Sequence, residues 1–373
     1  MRRLTTTVFV ASLALVACGK PKTFSPPPPS NAAVIGMVRL PYVDESRRSW
    51  GGDAYRPITT TLWYEASTGA KPEEIVIPAG NPAFVGGWAA RNAAPSAGKR
   101  PLILLSHGTG GSAFQMMWLA RRLVAAGYIV AAVDHHGNSA AEAAFDARGF
   151  RLPAERAADI SASIDALLAD AKYGPLIDPS RIGGAGFSLG GHTMMTLAGA
   201  RTSFARFEKF CASDQADATC QPQAEFPSAW TTFDAMLASD PVLRRRLTEQ
   251  EGDFSDARIK SFVVFSPALI QALTDESLAR ISTPIEVVAA GADAVAPSPT
   301  NSERLASKTF SARLHAIPEA QHYAFLNECT PRAIKALASC TDGGRKRAVV
   351  HDAAAALAIA HFDRTLSPAD NLR

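Results

Sequence analysis

From residue 58 onward the chain alternates short apolar runs with longer amphipathic ones. Residues 101–106, Pro-Leu-Ile-Leu-Leu-Ser, are almost continuously apolar. That is the pattern of a strand buried on both faces of a parallel sheet. A helix is predicted over 113–126, a strand over 128–134, an amphipathic helix over 154–171 and a strand over 181–187. Strands at 260–265, 284–290 and 313–317 and a last helix near 349–366 continue the rhythm, and an earlier strand at 58–63 precedes it. This alternation predicts an α/β fold with a mostly parallel central sheet and helices on both faces. Residues 202–258 interrupt it. They carry two cysteines and the aromatics Phe204, Phe207, Phe210, Phe226, Trp230 and Phe233. The stretch reads as a lid-like helical insertion, whose aromatics either bury the insertion alone or also line an apolar pocket.

The beginning of the chain follows a different logic. Met1-Arg2-Arg3 is basic, residues 8–17 are apolar, and Leu15-Val16-Ala17-Cys18-Gly19 follows. The apolar run is too short to span a bilayer and reads as an export signal over residues 1–17. Its end resembles a bacterial lipobox, which implies lipid on Cys18 and a membrane as partner. Gly19 at the second mature position resembles lipoproteins sorted to the outer membrane, so the expected location is the cell envelope, on the periplasmic face. Residues 18–36 include Pro26, Pro27, Pro28 and Pro29 and read as a stiff tether. The folded domain is expected over 37–373.

Composition narrows the class. Of 373 residues, 47% are hydrophobic and 20% charged, as in a globular domain. With 38 basic and 35 acidic residues the net charge is +3, and it falls to +1 once Arg2 and Arg3 leave with the signal. That balance gives no electrostatic case for a nucleic-acid partner. Beyond Cys18 stand Cys211, Cys220, Cys329 and Cys340. An even count in an exported chain suggests two disulfides. Three pairings exist; the sequence-local one, Cys211 with Cys220 and Cys329 with Cys340, is preferred here. Zinc-type Cys-x2-Cys spacing is absent.

The candidate chemistry sits at strand ends. Gly186-Phe187-Ser188-Leu189-Gly190 is a G-x-S-x-G sequence between a predicted strand and a helix-like run. This is the context in which a strained turn lifts a serine nucleophile above a sheet. Serine needs a base and the base an orienting carboxylate. Asp293 follows the strand at 284–290, and His322 follows the next strand, so both fall on loops at the same sheet edge. Glu319 is too close to His322 in sequence to be the acid, and Asp275 reads as a helix cap. His315, His351 and His361 fall inside predicted elements, and His192 reads as a packing or hydrogen-bonding residue on the helix after Ser188. The oxyanion donors are expected to be the backbone N–H groups of Leu189 and Thr109. The latter lies in the glycine-rich loop Ser106-His107-Gly108-Thr109-Gly110-Gly111, which His107 is expected to shape. Asp134-His135-His136-Gly137-Asn138-Ser139 ends another strand. Without a third ligand at suitable spacing it reads as pocket rim or loop structure. No cofactor or metal is implied.

These blocks, with Thr60-Thr61-Leu62-Trp63-Tyr64 before them and His322-Tyr323-Ala324-Phe325-Leu326 after, resemble one branch of the α/β-hydrolases. It is the branch similar to platelet-activating-factor acetylhydrolase, often labelled predicted dienelactone hydrolase. The resemblance runs from about Tyr42 to the last helix. It implies an α/β-hydrolase fold, a triad of Ser188, Asp293 and His322, an oxyanion hole at Thr109 and Leu189, and hydrolysis of a small ester or lipid-like substrate. A non-catalytic binding module on the same fold, or a peptidase or amidase with the same triad, are the competing expectations.

Overall fold

The structure is a computed structural model that describes residues 23–341 and 346–367. Residues 1–17, read as an export signal, and Cys18 lie outside the described residues. The strands are β1 Ile35–Arg48, β2 Tyr55–Glu65, β3 Glu73–Ile77, β4 Phe84–Arg91, β5 Arg100–Ser106, β6 Ile129–Val133, β7 Ile177–Phe187, β8 Ile259–Phe265, β9 Ile285–Ala290, β10 Ala312–Ile317 and β11 Glu328–Cys329. They form one sheet in the order β10-β9-β8-β7-β5-β6-β2-β1-β4-β11, with β3 paired to β4. From β6 to β10 every pairing is parallel. β2 joins β6 antiparallel and begins a smaller, mainly antiparallel extension.

The apolar runs are explained by burial on two faces. Successive strand side chains point to opposite sides. Ile103, Leu105, Val130 and Ala132 join a core with the helices Met117–Ala125 and Arg347–Thr365. Leu102, Leu104, Ile129 and Ala131 join a second core with the helices Ala154–Ala169 and Leu189–Leu197. The chain leaves β5 toward β6 on one side and returns as β7 on the other. Such a reversal opens a crevice at the carboxyl ends of β5 and β7, where ligands of open α/β sheets bind.

Two expectations need correction. The sheet begins at Ile35, inside the segment 18–36 read as tether. That segment also does not run free of the domain. The backbone amides of Phe24 and Ser25 donate to the Glu74 carboxylate at 2.8 and 2.6 Å, and Trp88 Nε1 donates to Ser25 Oγ at 3.1 Å. The proline run is thus held to the domain at both ends, because β3 and β4 offer a carboxylate and an indole to its start. Asp275 is not the helix cap either. The Thr274 side chain accepts from Ser277 N, and Asp275 instead pairs with Arg206, Arg304 and Lys308.

Between the helix Leu189–Leu197 and β8, the helices Phe204–Cys211, Ala229–Ser239 and Pro241–Glu249 form an insertion that adds no strand. Disulfides join Cys211 to Cys220 and Cys329 to Cys340, the sequence-local pairing. Phe233 packs with Trp50, Leu152 and Leu243, and Phe226 meets Phe145 and Phe150. None of the six aromatics named above for residues 202–258 lines the main cavity; Phe226 and Phe233 pack in this cluster instead.

Candidate active site

Ser188 stands between β7 and the helix Leu189–Leu197 at φ 55°, ψ −120°. This is a conformation a residue with a Cβ avoids unless its surroundings enforce it. Ser188 N donates to Phe265 O at 3.0 Å, and Ser188 O accepts from Ala268 N at 3.1 Å. The flanking glycines are required by close approach. A Cβ on Gly186 would fall on the carbonyl of Gly190, and one on Gly190 would fall on the carbonyl of Ser106. The G-x-S-x-G pattern therefore lets β7, the loop after β5 and the new helix converge on one turn.

The loops after β9 and β10 are laced together. Gly291 N donates to Ile317 O at 2.9 Å and Ala292 N to Ala320 O at 2.8 Å. This brings Asp293 beside His322. His322 Nδ1 donates to Asp293 Oδ2 at 2.7 Å, and Ser188 Oγ donates to His322 Nε2 at 2.9 Å. The other carboxylate oxygen accepts from Val295 N and Ala296 N at 2.9 and 2.8 Å. Ser188 is 7% exposed, His322 3%. The Asp293 carboxylate, at 1%, is thus fully satisfied inside the protein and oriented toward the imidazole. The Phe187 ring packs against the imidazole at 4.8 Å.

The glycine-rich loop faces this trio. Gly108 N donates to Gln115 Oε1 and Gly110 N to Asn138 Oδ1, both at 2.7 Å, and Gly111 N donates to Gly108 O. Thr109 N has no acceptor among the described residues. Leu189 N, first in its helix, has no intrahelical acceptor and no other among the described residues. Both residues line the cavity with Ser188 and His322. Two backbone donors therefore stay unclaimed on the side of the serine.

The loop after β6 supports this arrangement from below. Asp134 accepts from Ala113 N, Ser139 Oγ and Arg39, fixing the helix start behind the glycines. His135 Nε2 accepts from Ser106 Oγ at 2.9 Å, and its Nδ1 faces Asp159 at 3.2 Å. His136 pairs with Glu142 at 2.7 Å. His107 donates to Gly108 O at 2.7 Å. Burial holds His107 well below the ordinary imidazole pKa and takes His135 down to about 3, so both are neutral hydrogen-bonding groups. His192 bonds Leu269 O and Thr202, His351 stacks on Trp118, and His315 and His361 face Glu286. Arg156, which nothing in the pattern marked, is buried beneath the loop and donates to His107 O, Ser106 Oγ and Thr193 Oγ1.

A cavity of about 1300 Å³ opens above the serine. The antiparallel extension supplies Met37, Ile75, Ile77 and Phe84. The insertion supplies Ala218, Thr219 and residues 221–225, and Leu269, Val295 and Leu326 close other parts. The walls are mainly apolar with scattered amides, as in small-molecule sites.

A serine on a strained strand–helix turn, with a carboxylate and an imidazole on successive strand-end loops of a mostly parallel sheet, defines the α/β-hydrolase class. Residues 102–339 match the model of the alpha/beta hydrolase family, and the chain belongs to that family. In sequence it matches no curated protein. Among solved structures it is similar to a ferulic acid esterase from Streptomyces cinnamoneus, with a TM-score of 0.61 and 21% identity over 91% of this chain and 92% of that one. That likeness concerns the fold.

Proposed function

We propose that this chain is a serine hydrolase cleaving carboxylic esters. The observation that carries the reading is the relay Ser188–His322–Asp293 beside two unclaimed backbone amides. Ser188 Oγ attacks the ester carbonyl and its proton passes to His322 Nε2. Asp293 holds the imidazole in the tautomer that leaves Nε2 free and stabilises the imidazolium. The oxyanion takes the N–H groups of Thr109 and Leu189. Collapse expels the alcohol, protonated by His322, and leaves an acyl-enzyme that water cleaves by the same route. The resemblance to the platelet-activating-factor acetylhydrolase-like branch, and the esterase activity in the name of the structural neighbour, support ester over amide.

Ser188→Ala should fold normally, lose labelling by a fluorophosphonate probe and lose about three orders of magnitude or more in kcat. Undiminished hydrolysis of a short p-nitrophenyl ester by this variant would sink the proposal, and faster cleavage of the matched anilide would move it to an amidase.

We further propose that Cys18 carries lipid and anchors the chain at the periplasmic face of the outer membrane. Cys18→Ala should shift the protein from the membrane pellet to the soluble fraction of a bacterial host. Retention in the pellet would count against the anchor.

A further inference from the structure

Besides the phenol of Tyr323, four ionisable side chains line the cavity: Arg39, Arg91, Glu225 and His322. His322 belongs to the relay. Arg39 is neutralised by Asp134 at 2.7 Å, and Arg91 by Glu73. Glu225 has no cation and no side-chain donor within bonding distance among the described residues. Among the described residues it is therefore the uncompensated charge on the wall. Its stem lies against the oxyanion loop: a Cβ on Gly110 would come within 2.8 Å of Glu225 Cβ. The residue is exposed to solvent, yet its carboxylate is partly desolvated by the protein around it. That burial raises its pKa, while the nearby His322 opposes the rise. Tyr323, also on the wall, is pushed up to about 12 by burial and by the carboxylates of Glu225 and Asp293. Both effects place Glu225 within electrostatic reach of the reacting atoms.

The position of this carboxylate is built in. The segment bearing it starts at Cys220, bridged to Cys211. Just before, Asp217 accepts from Gln271 Nε2 at 2.8 Å and from Thr300 Oγ1, tying the insertion to the loops behind Leu269 and Asp293. A charge on a fastened loop selects more sharply than one on a mobile side chain.

Resting on the ester-hydrolase reading, we infer that Glu225 is a specificity-determining residue. Its carboxylate favours esters that carry a cationic, ammonium-type group near the scissile bond and disfavours anionic ones. A single uncompensated charge on the wall of a largely apolar cavity is worth on the order of tenfold between substrates of opposite charge.

The test uses three esters of equal size, neutral, quaternary-ammonium and carboxylate, at pH 8 and low salt. The charge is placed on the acyl end in one series and on the alcohol in another. The wild type should show a cation-to-anion ratio in kcat/KM of about tenfold or more in at least one series. Raising the salt to about 0.5 M should flatten it. Glu225→Gln should bring the ratio near one, Glu225→Lys should invert it, and Glu225→Asp should keep its sign. A wild-type ratio near one in both series, or a ratio unchanged in Glu225→Gln, overturns the inference. The salt comparison needs no variant, so it stands even if a substitution disturbs folding. Loss of all three activities in Ser188→Ala, with a charge-blind wild type, would reject Glu225 while leaving the hydrolase reading intact. Survival of the neutral activity in Ser188→Ala would reject the hydrolase reading itself.

Discussion

A backbone angle of φ 55° at Ser188 costs on the order of 1–3 kcal/mol. That cost is met by groups that clamp the turn from several sides. One of them is Arg156. Its guanidinium bridges the end of β5, through His107 O and Ser106 Oγ, to Thr193 on the helix that Ser188 begins. It therefore sets the spacing between the loop bearing Thr109 and the helix bearing Leu189, the two donors proposed for the oxyanion. Burial pulls its pKa down and Asp159 pulls it back, so it stays a cation inside the protein. Arg156→Met removes this bridge and unbalances the buried network around Asp159, which should cost about 3–5 kcal/mol. Arg156→Lys restores charge without the planar fork. Arg156 is a positioning residue, so both variants should lose kcat more than they raise KM, Lys less than Met. Equal losses in kcat and stability across the two, or a pure KM effect, would assign it a merely structural role. The residue was invisible in the sequence because an inward arginine on an amphipathic helix has the same spacing as an apolar core residue.

At the scale of elements, what could be read beforehand was what burial had written into the pattern. β5, β6, β8 and β9 are covered on both faces, so their apolar runs stand out. Ser188, Asp293 and His322 were legible because each follows a strand of the parallel part of the sheet, β7, β9 and the edge strand β10, and a parallel sheet gathers those ends on one edge. β1, β3 and β4 were not found. β1 carries Gly36 and Pro41 and shows a solvated face along much of its length, and β4 carries Gly86 and Gly87. These strands exist because long-range pairing selects them, as between Ile35 and Glu65 or Val76 and Val85, and pairing leaves little periodic trace. The insertion was legible only as an interruption. Its aromatics drew attention, yet the wall of the cavity is made by the polar stretch 221–225. A short non-periodic loop has no period to declare which way a glutamate points, and only the disulfide and the Asp217 contacts set it.

At the scale of the whole molecule, the site rests on a floor of neutral histidines. His107 and His135 lie under the glycine-rich loop after β5, His192 on the helix after Ser188, and His351 donates to Leu326 O just beyond His322. Burial depresses all four: His107 well below the ordinary value, His135 and His351 to about 3, His192 to about 4. In the unfolded chain each would titrate near 6.5. Between those values the unfolded state binds protons that the folded state refuses, so stability falls as pH falls. The contribution is complete above about pH 6.5 and drains toward pH 3–4. Each histidine contributes up to about 1.4 kcal/mol per pH unit in that window, so four contribute on the order of 5 kcal/mol per unit. A typical domain has only about 5–15 kcal/mol in total. The melting temperature should therefore be nearly level from pH 8 to 7, fall steeply below 6.5, and reach unfolding at room temperature by about pH 4–5. His192→Gln should take up about one proton fewer on unfolding, measurable as a shallower slope of stability against pH. A melting temperature constant from pH 7.5 to 5 would mean that these imidazoles accept protons in the folded protein, and the floor beneath Ser188 would then have to be drawn differently.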